Sequence, residues 1–167
     1  MKVILVANIS ANGKALVSDN PHHSLPQEAM DFYVGMAERV GSMVIGAKTF
    51  ENFQQFPEHV KALFATIDMV VLSAAPLASP EYTVVHTPEE AIAYFSTKGV
   101  AEIAVGGGIG TFNAFLDRDL VTDIYFNISP LITGDGGHLV SNHALNSKFS
   151  LAGCEVHNGF VQLHLVK

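Results

Sequence analysis

Residues 101–136, AEIAVGGGIGTFNAFLDRDLVTDIYFNISPLITGDG, read as strand, glycine turn, helix and strand. Ile103, Ala104 and Val105 are apolar without polar alternation, the pattern of a strand buried on both faces. Gly106, Gly107 and Gly108 follow at once, and Thr111, Phe112, Ala114, Phe115 and Leu116 then recur at helical spacing. Asp123 to Ile128 is a second β-rich run, closed by Pro130. Glycines between a strand and a helix allow positive φ and let another group approach bare backbone. The free N–H groups at the helix start, aided by the dipole, favour an anion such as a pyrophosphate. The competing reading is a tight packing turn that binds nothing. The dinucleotide fingerprint fits poorly, because it places its glycines after the first strand and an acid about 20 residues on. Here the glycines come late, and Asp123 sits at an ordinary helix-to-strand turn.

Upstream, Lys2 to Ile9 reads as a central strand, followed by a long loop to Ser24. Adjacent histidines at 22 and 23 share no strand or helix face, so they read as loop residues and not as a metal site. A helix opens at Leu25-Pro26-Gln27-Glu28, with Ser24 as the expected N-cap and Gln27 as its capping-box partner. Ala29, Phe32, Tyr33, Met36 and Val40 form its apolar stripe, and Gly41 ends it. Ser42 to Ile45 is a second strand, turning at Gly46-Ala47-Lys48-Thr49 into a short helix. Further strands are expected at Thr66 to Leu72 and Tyr82 to His86. Thr87 caps a helix begun by Pro88, with Glu89 and Glu90 in its first turn. Downstream, Phe149 to Val156 and Gly159 to Val166 read as a closing hairpin, with His157 and His164 as surface residues.

Alternating strands and helices predict an α/β fold, with a mostly parallel sheet, an antiparallel C-terminal hairpin and helices on both faces. The 167 residues suit a single domain, 1–167, and 49% hydrophobic against 15% charged residues supply an ample core. A net charge of -7, with seven Lys and two Arg, argues against nucleic acid or an anionic membrane as partner. Cys154 is the only cysteine, which excludes an intrachain disulfide and a Cys-clustered zinc site. The apolar run at Val3 to Ile9 is too short for a signal-peptide core or a membrane span, so a reducing, cytoplasmic setting is expected. In such sheets ligands sit beyond the carboxyl ends of the strands. The Gly46–Thr49 turn, Ser73 and the Gly106–Gly110 turn all fall there, which points to a nucleotide.

Gly46-Ala47-Lys48-Thr49, Val70-Val71-Leu72-Ser73 and Val105-Gly106-Gly107-Gly108 with Phe112, in that order, resemble the dihydrofolate reductase superfamily. Leu25-Pro26-Gln27-Glu28 with Phe32 adds to the likeness. Asn8-Ile9-Ser10-Ala11-Asn12-Gly13-Lys14, and Leu120 through Ile128-Ser129-Pro130 to Gly136, are closer to the reductase domain of bifunctional riboflavin biosynthesis enzymes. The resemblance implies a dihydrofolate-reductase-like three-layer fold, NADPH as hydride donor (NADH being the alternative) and a homodimer. It implies cofactor contacts at Val6, Ala7, Gly46, Ala47, Lys48, Thr49, Leu72 and Ser73, and along Gly106, Gly107, Gly108, Ile109, Gly110, Thr111 and Phe112. Substrate contacts would come from Asn8, Glu28 and Phe32, and catalytic roles from Glu28 and Asn127, with no metal. A Glu28 carboxylate turned to solvent, away from Ala7, Phe32 and Gly106, would instead be a helix-start surface acid.

The implied reaction is reduction of a ribosylamino-pyrimidine phosphate. The alternatives are a dihydrofolate or pterin reductase and, in another class, a nucleotide-binding module without chemistry. Ala47 stands where folate reductases commonly carry an arginine for the 2′-phosphate, so weak discrimination between the two cofactors is expected, with Lys48 as the nearest substitute. The zinc deaminase domain that accompanies many riboflavin reductases has no counterpart in these residues.

Overall fold

The computed structural model describes residues 1–16, 22–77 and 81–167. A single sheet organises it. β1 (Lys2–Ser10) lies centrally, paired in parallel with β6 (Glu102–Gly107) on one side and β7 (Asp123–Ser129) on the other. Beyond β6 come β3 (Ser42–Gly46), β4 (Asp68–Leu72) and β5 (Thr83–Val85), all parallel. Beyond β7 come β10 (Phe160–Val166) and then β9 (Ser150–His157), both antiparallel to their neighbours. The order β5-β4-β3-β6-β1-β7-β10-β9 is the mostly parallel sheet with a terminal hairpin that the strand–helix alternation predicts.

Both faces are covered because the central strands are apolar on both. Alternation along β1 sends Val3, Leu5, Ala7 and Ile9 to one face, under α4 (Pro88–Thr97) and α5 (Ile109–Leu116), which contribute Phe95, Phe112 and Phe115. Ile4 and Val6 face the other way, against Met36 of α1 (Gln27–Val40). On that same side Phe50 and Phe53 of α2 (Ala47–Gln54) pack with Met43, Ile45, Met69 and Val71. A short α3 (Glu58–Lys61), continued by a 3₁₀ turn over Ala62–Phe64, closes the α2 side.

Several local expectations change. α1 begins at Gln27 with Pro26 at the cap position and no side-chain cap, so Ser24 is not its N-cap. Pro26 carries the right φ to start the helix (−56°), and Gln27 Nε2 donates to Asp31 Oδ1 at 2.7 Å instead of reaching back. The loop after β1 contains β2 (Lys14–Ala15), which pairs with β1 and with β8 (Gly137–His138); residues 17–21 of that loop lie outside the described residues. The strand expected from Thr66 starts at Asp68, because Ile67 N–H is still held by the Phe64 carbonyl at 3.1 Å. His157 and His164 are partly buried, not simply at the surface: their rings stack on Phe160 and Tyr125, with centroids 4.6 and 4.1 Å apart.

Asp123 opens β7 with its side chain 6% exposed, and accepts from Thr122 Oγ1 at 2.8 Å, Lys2 Nζ at 3.0 Å and His164 Nε2 at 3.4 Å. Burial alone would raise its pKa; the donors from Thr122, Lys2 and His164 outweigh it and hold the carboxyl below the ordinary aspartate range. The folded pKa therefore lies below the unfolded one. The stability this carries is present above the unfolded value and is lost as pH falls through the folded value. Asp123→Asn is expected to cost about 2 kcal/mol at pH 7, the scale of a hydrogen bond to a charged group. Guanidinium melts at neutral and strongly acidic pH check it: the gap to wild type should shrink on acidification.

Candidate active site

The parallel strands carry their carboxyl ends to one side of the sheet, where β3 runs into α2 at Gly46 and β6 runs into α5 at Gly108. These two helix starts meet. A Cβ added at Gly46 would stand 2.4 Å from Thr111 Oγ1 of α5, and one at Gly108 would stand 3.3 Å from Thr49 Oγ1 of α2. Between them Gly107 holds φ +98°, open to glycine and strained for other residues, and a Cβ there would lie 3.0 Å from the Phe112 ring. The Gly107–Gly108 peptide is cis.

The turn is also set off from the ladder. β3 and β6 pair Val44 with Val105 and then Ile45 with Gly107, so Gly106 is an extra residue, a bulge. Its carbonyl accepts from Tyr33 Oη of α1 at 2.9 Å. Burial pushes the Tyr33 phenol well above its ordinary pKa, so it stays protonated and able to donate. Nothing in the glycine run itself signals this tether; Tyr33 is 73 residues upstream and read only as part of a core stripe.

Neither α2 nor α5 has a side-chain cap or an acid in its first turn. α4 has both: Thr87 accepts from the Glu90 N–H at 3.1 Å, and Glu89 and Glu90 occupy the first turn. Among the described residues, no capping side chain takes up the backbone donors at these converging starts, and no first-turn carboxylate repels an anion. Lys48 is exposed in the first turn of α2, beside partly buried Ala47. Val6, Ala7 and Leu72 are buried apolar walls at 4%, 0% and 8% exposure. Ser73 is engaged: its hydroxyl donates to the Ala75 carbonyl at 2.7 Å, and its own carbonyl lies 2.8 Å from His86 Nδ1. Ile109 packs under Gly137, where a Cβ would lie 2.7 Å from its Cδ1, while Gly110 has open space around it.

On the α1 face, Phe32 packs against Tyr125 with ring centroids 5.2 Å apart. Asn8 is partly buried one pleat beyond Val6. Asn127, at 1% exposure, donates to Asn8 Oδ1 at 3.1 Å and accepts from Gln162 at 2.9 Å, so it reaches any bound ring only through Asn8. The Glu28 carboxylate is 54% exposed and lies 3.6 Å from His157 Nδ1, on the side of α1 that meets the terminal hairpin. Gln162 and His157 are the partners that sequence reasoning missed. Two recesses of about 330 and 550 Å³ lie elsewhere, one lined by Leu116, Phe126 and Phe149, the other by Phe53, Lys61 and Tyr82.

The profile of the RibD C-terminal domain family matches residues 1–163. The chain belongs to this family. The RibD C-terminal domain is a reductase domain, which places the chain in an oxidoreductase family of the riboflavin pathway. Solved structures share the RibD C-terminal fold. A Shewanella sp. PV-4 protein assigned to riboflavin biosynthesis superposes with a TM-score of 0.76 at 20% identity, over 99% of this chain and 98% of that one. A pyrimidine reductase-like protein from Corynebacterium diphtheriae gives 0.73 at 15% identity, over 99% and 91%. The diaminohydroxyphosphoribosylaminopyrimidine deaminase/5-amino-6-(5-phosphoribosylamino)uracil reductase of Thermotoga maritima gives 0.71 at 14%, over 99% of this chain and 56% of that one. At these identities the likeness establishes the fold. No curated protein matches the chain by sequence. Among the described residues no helix is long and apolar enough to cross a membrane.

Proposed function

We propose that the chain is an NAD(P)H-dependent reductase of the riboflavin-reductase type, acting on a pyrimidine- or pterin-related ring. The observation that carries this reading is the cradle: two uncapped, acid-free helix starts meeting across Gly46, Gly107 and Gly108, each of which a side chain would fill. Such a cradle fits a pyrophosphate held by backbone N–H groups and the Thr49 and Thr111 hydroxyls. A nicotinamide cofactor, when bound, supplies the hydride. The chain's own residues would bind and orient. Val6 and Ala7 wall the nicotinamide end, Phe32 covers the apolar side of the ring, and Asn8 offers it a polar contact, with Asn127 fixing Asn8. Glu28 would accept from paired ring N–H groups and orient the substrate for hydride transfer. Lys48 is the cation available to a 2′-phosphate. The same reading has the enzyme cytoplasmic and a homodimer through its terminal strands, where Leu151 and Val156 stand 64% and 83% exposed.

NADPH oxidation, followed at 340 nm with a panel of ribosylamino-pyrimidines and pterins, tests the reading. Turnover on none of them, despite tight cofactor binding, would make the chain a nucleotide-binding module instead. Glu28→Gln separates two roles. A substrate contact should lower kcat/KM about tenfold or more with NADPH affinity and folding nearly unchanged. A helix-dipole and His157 partner should leave turnover alone.

A further inference from the structure

Asn8 of β1, Asn127 of β7 and Gln162 of β10 stand in one register row across three adjacent strands, so their side chains share a face. Gln162 Nε2 donates to Asn127 Oδ1 at 2.9 Å, and Asn127 Nδ2 donates to Asn8 Oδ1 at 3.1 Å. The inner two members are buried, at 6% for Gln162 and 1% for Asn127, while Asn8 is partly open. A carboxamide has one donor end and one acceptor end, so three in series make a polar chain. Every link here uses the acceptor of the residue nearer the cleft. Asn8 ends the series with its oxygen committed and its NH₂ left over. Turning Asn8 alone would set its NH₂ against that of Asn127, and turning Asn127 alone would mismatch both of its links. Either change loses buried hydrogen bonds, so the three amides turn together or not at all, and in the structure Asn8 presents its NH₂.

Asn8 lies three residues past Leu5, the last β1 residue paired with β6, and on the face where Phe32 and Met36 cover Val6 one pleat earlier. It is the polar end of an otherwise apolar wall. Resting on the reductase reading above, we infer that this row is a specificity device: it presents Asn8 as a hydrogen-bond donor, so the bound ring turns an oxo group, not an amino group, toward it. Gln162 is a positioning residue. It touches no ligand and sets which end of Asn8 faces the cleft.

Pterin and 2,4-diaminopteridine are a suitable pair, since one carries 4-oxo beside N3–H and the other 4-amino beside a bare N3; their affinities are read from pteridine fluorescence in the presence of NADPH. Wild type should prefer pterin by about tenfold or more, the worth of one hydrogen bond made against one left unpaired. Gln162→Glu is the informative variant. Its ionised carboxylate can only accept, so it takes the Asn127 NH₂, reverses the row and turns the Asn8 oxygen outward. Above the pH at which that carboxyl ionises the preference should move toward the diamino ligand; below it, a protonated carboxyl can donate and the wild-type preference should return. A purely structural role for Gln162 would change stability and leave the ratio fixed at every pH. Asn8→Asp gives a second route to the same shift if the first variant fails to fold. A folded variant of either kind with the wild-type ratio across pH overturns the inference. A wild type that binds NADPH and reduces a pyrimidine or pterin, yet does not distinguish the pair, overturns it and leaves the reductase reading in place. A wild type that binds neither NADPH nor a pteridine removes both.

Discussion

Gly106→Val should lower stability by roughly 4 kcal/mol, from overpacking of about 1–3 and an unpaired buried polar group of about 1–3 kcal/mol. A Cβ at this position would lie 2.6 Å from Tyr33 Oη, 2.9 Å from Met43 Sδ and 3.0 Å from Ile45 Cγ2. Met43 and Ile45 are 1% and 2% exposed and have no room to retreat. Tyr33 can yield only by leaving the Gly106 carbonyl, which strands its hydroxyl in the core. A loss of that size is a large share of the roughly 5–15 kcal/mol that holds a domain together. Chemical denaturation measures it. Tyr33→Phe supplies the internal control, because removing the hydroxyl vacates the space nearest the new Cβ. The cost of Gly106→Ala should be smaller in that background, and equal costs in both would show that the hydroxyl is not what the glycine makes room for.

Gly108→Val should behave in the opposite way: folded, and poor at binding. Gly108 has φ −71°, which any residue can adopt, and a Cβ there meets Thr49 Oγ1 at 3.3 Å, a contact a small shift relieves. The positive φ expected of this run belongs to its neighbour Gly107. The added side chain would occupy the space where an anion has to meet the N–H groups at the start of α5. NADPH affinity should fall about tenfold or more, at least about 1.4 kcal/mol. Isothermal titration beside a thermal melt checks both halves. Wild-type affinity in the folded variant would reduce the turn to a packing device.

How far the sequence carried depended on whether a feature was local. The strands over 2–9, 42–45 and 103–105 were legible because an apolar run bounded by glycine has few other readings. α4 was legible because Thr87, Pro88, Glu89 and Glu90 state its start in four adjacent residues. The glycine cradle was legible as a candidate, since glycine marks close approach whatever does the approaching. What stayed hidden depends on partners distant in the chain. β2 and β8 are two residues each, Lys14–Ala15 and Gly137–His138, and exist only by pairing with one another and with β1. Gln162, between Val161 and Leu163 in the hairpin, carries no sign of a partner in the sequence. Alternation says which residues share a face but not whether that face is covered, and here Gln162 is 6% exposed. Ser24 resembled a cap, but Pro26 fixes the helix start two residues later.

The two edges of the sheet differ in length: β5 is three residues, Thr83–Val85, and β9 is eight, Ser150–His157. An unpaired edge is a template for another strand, and a three-residue edge offers little to hold one. The capacity of this sheet to grow by strand addition is therefore confined to one side. If two copies join about a two-fold axis through β9, each uses the longer of the two described sheet edges, and the combined sheet ends in β5 at both extremities. Growth by strand addition in such a pair would then stop at two copies.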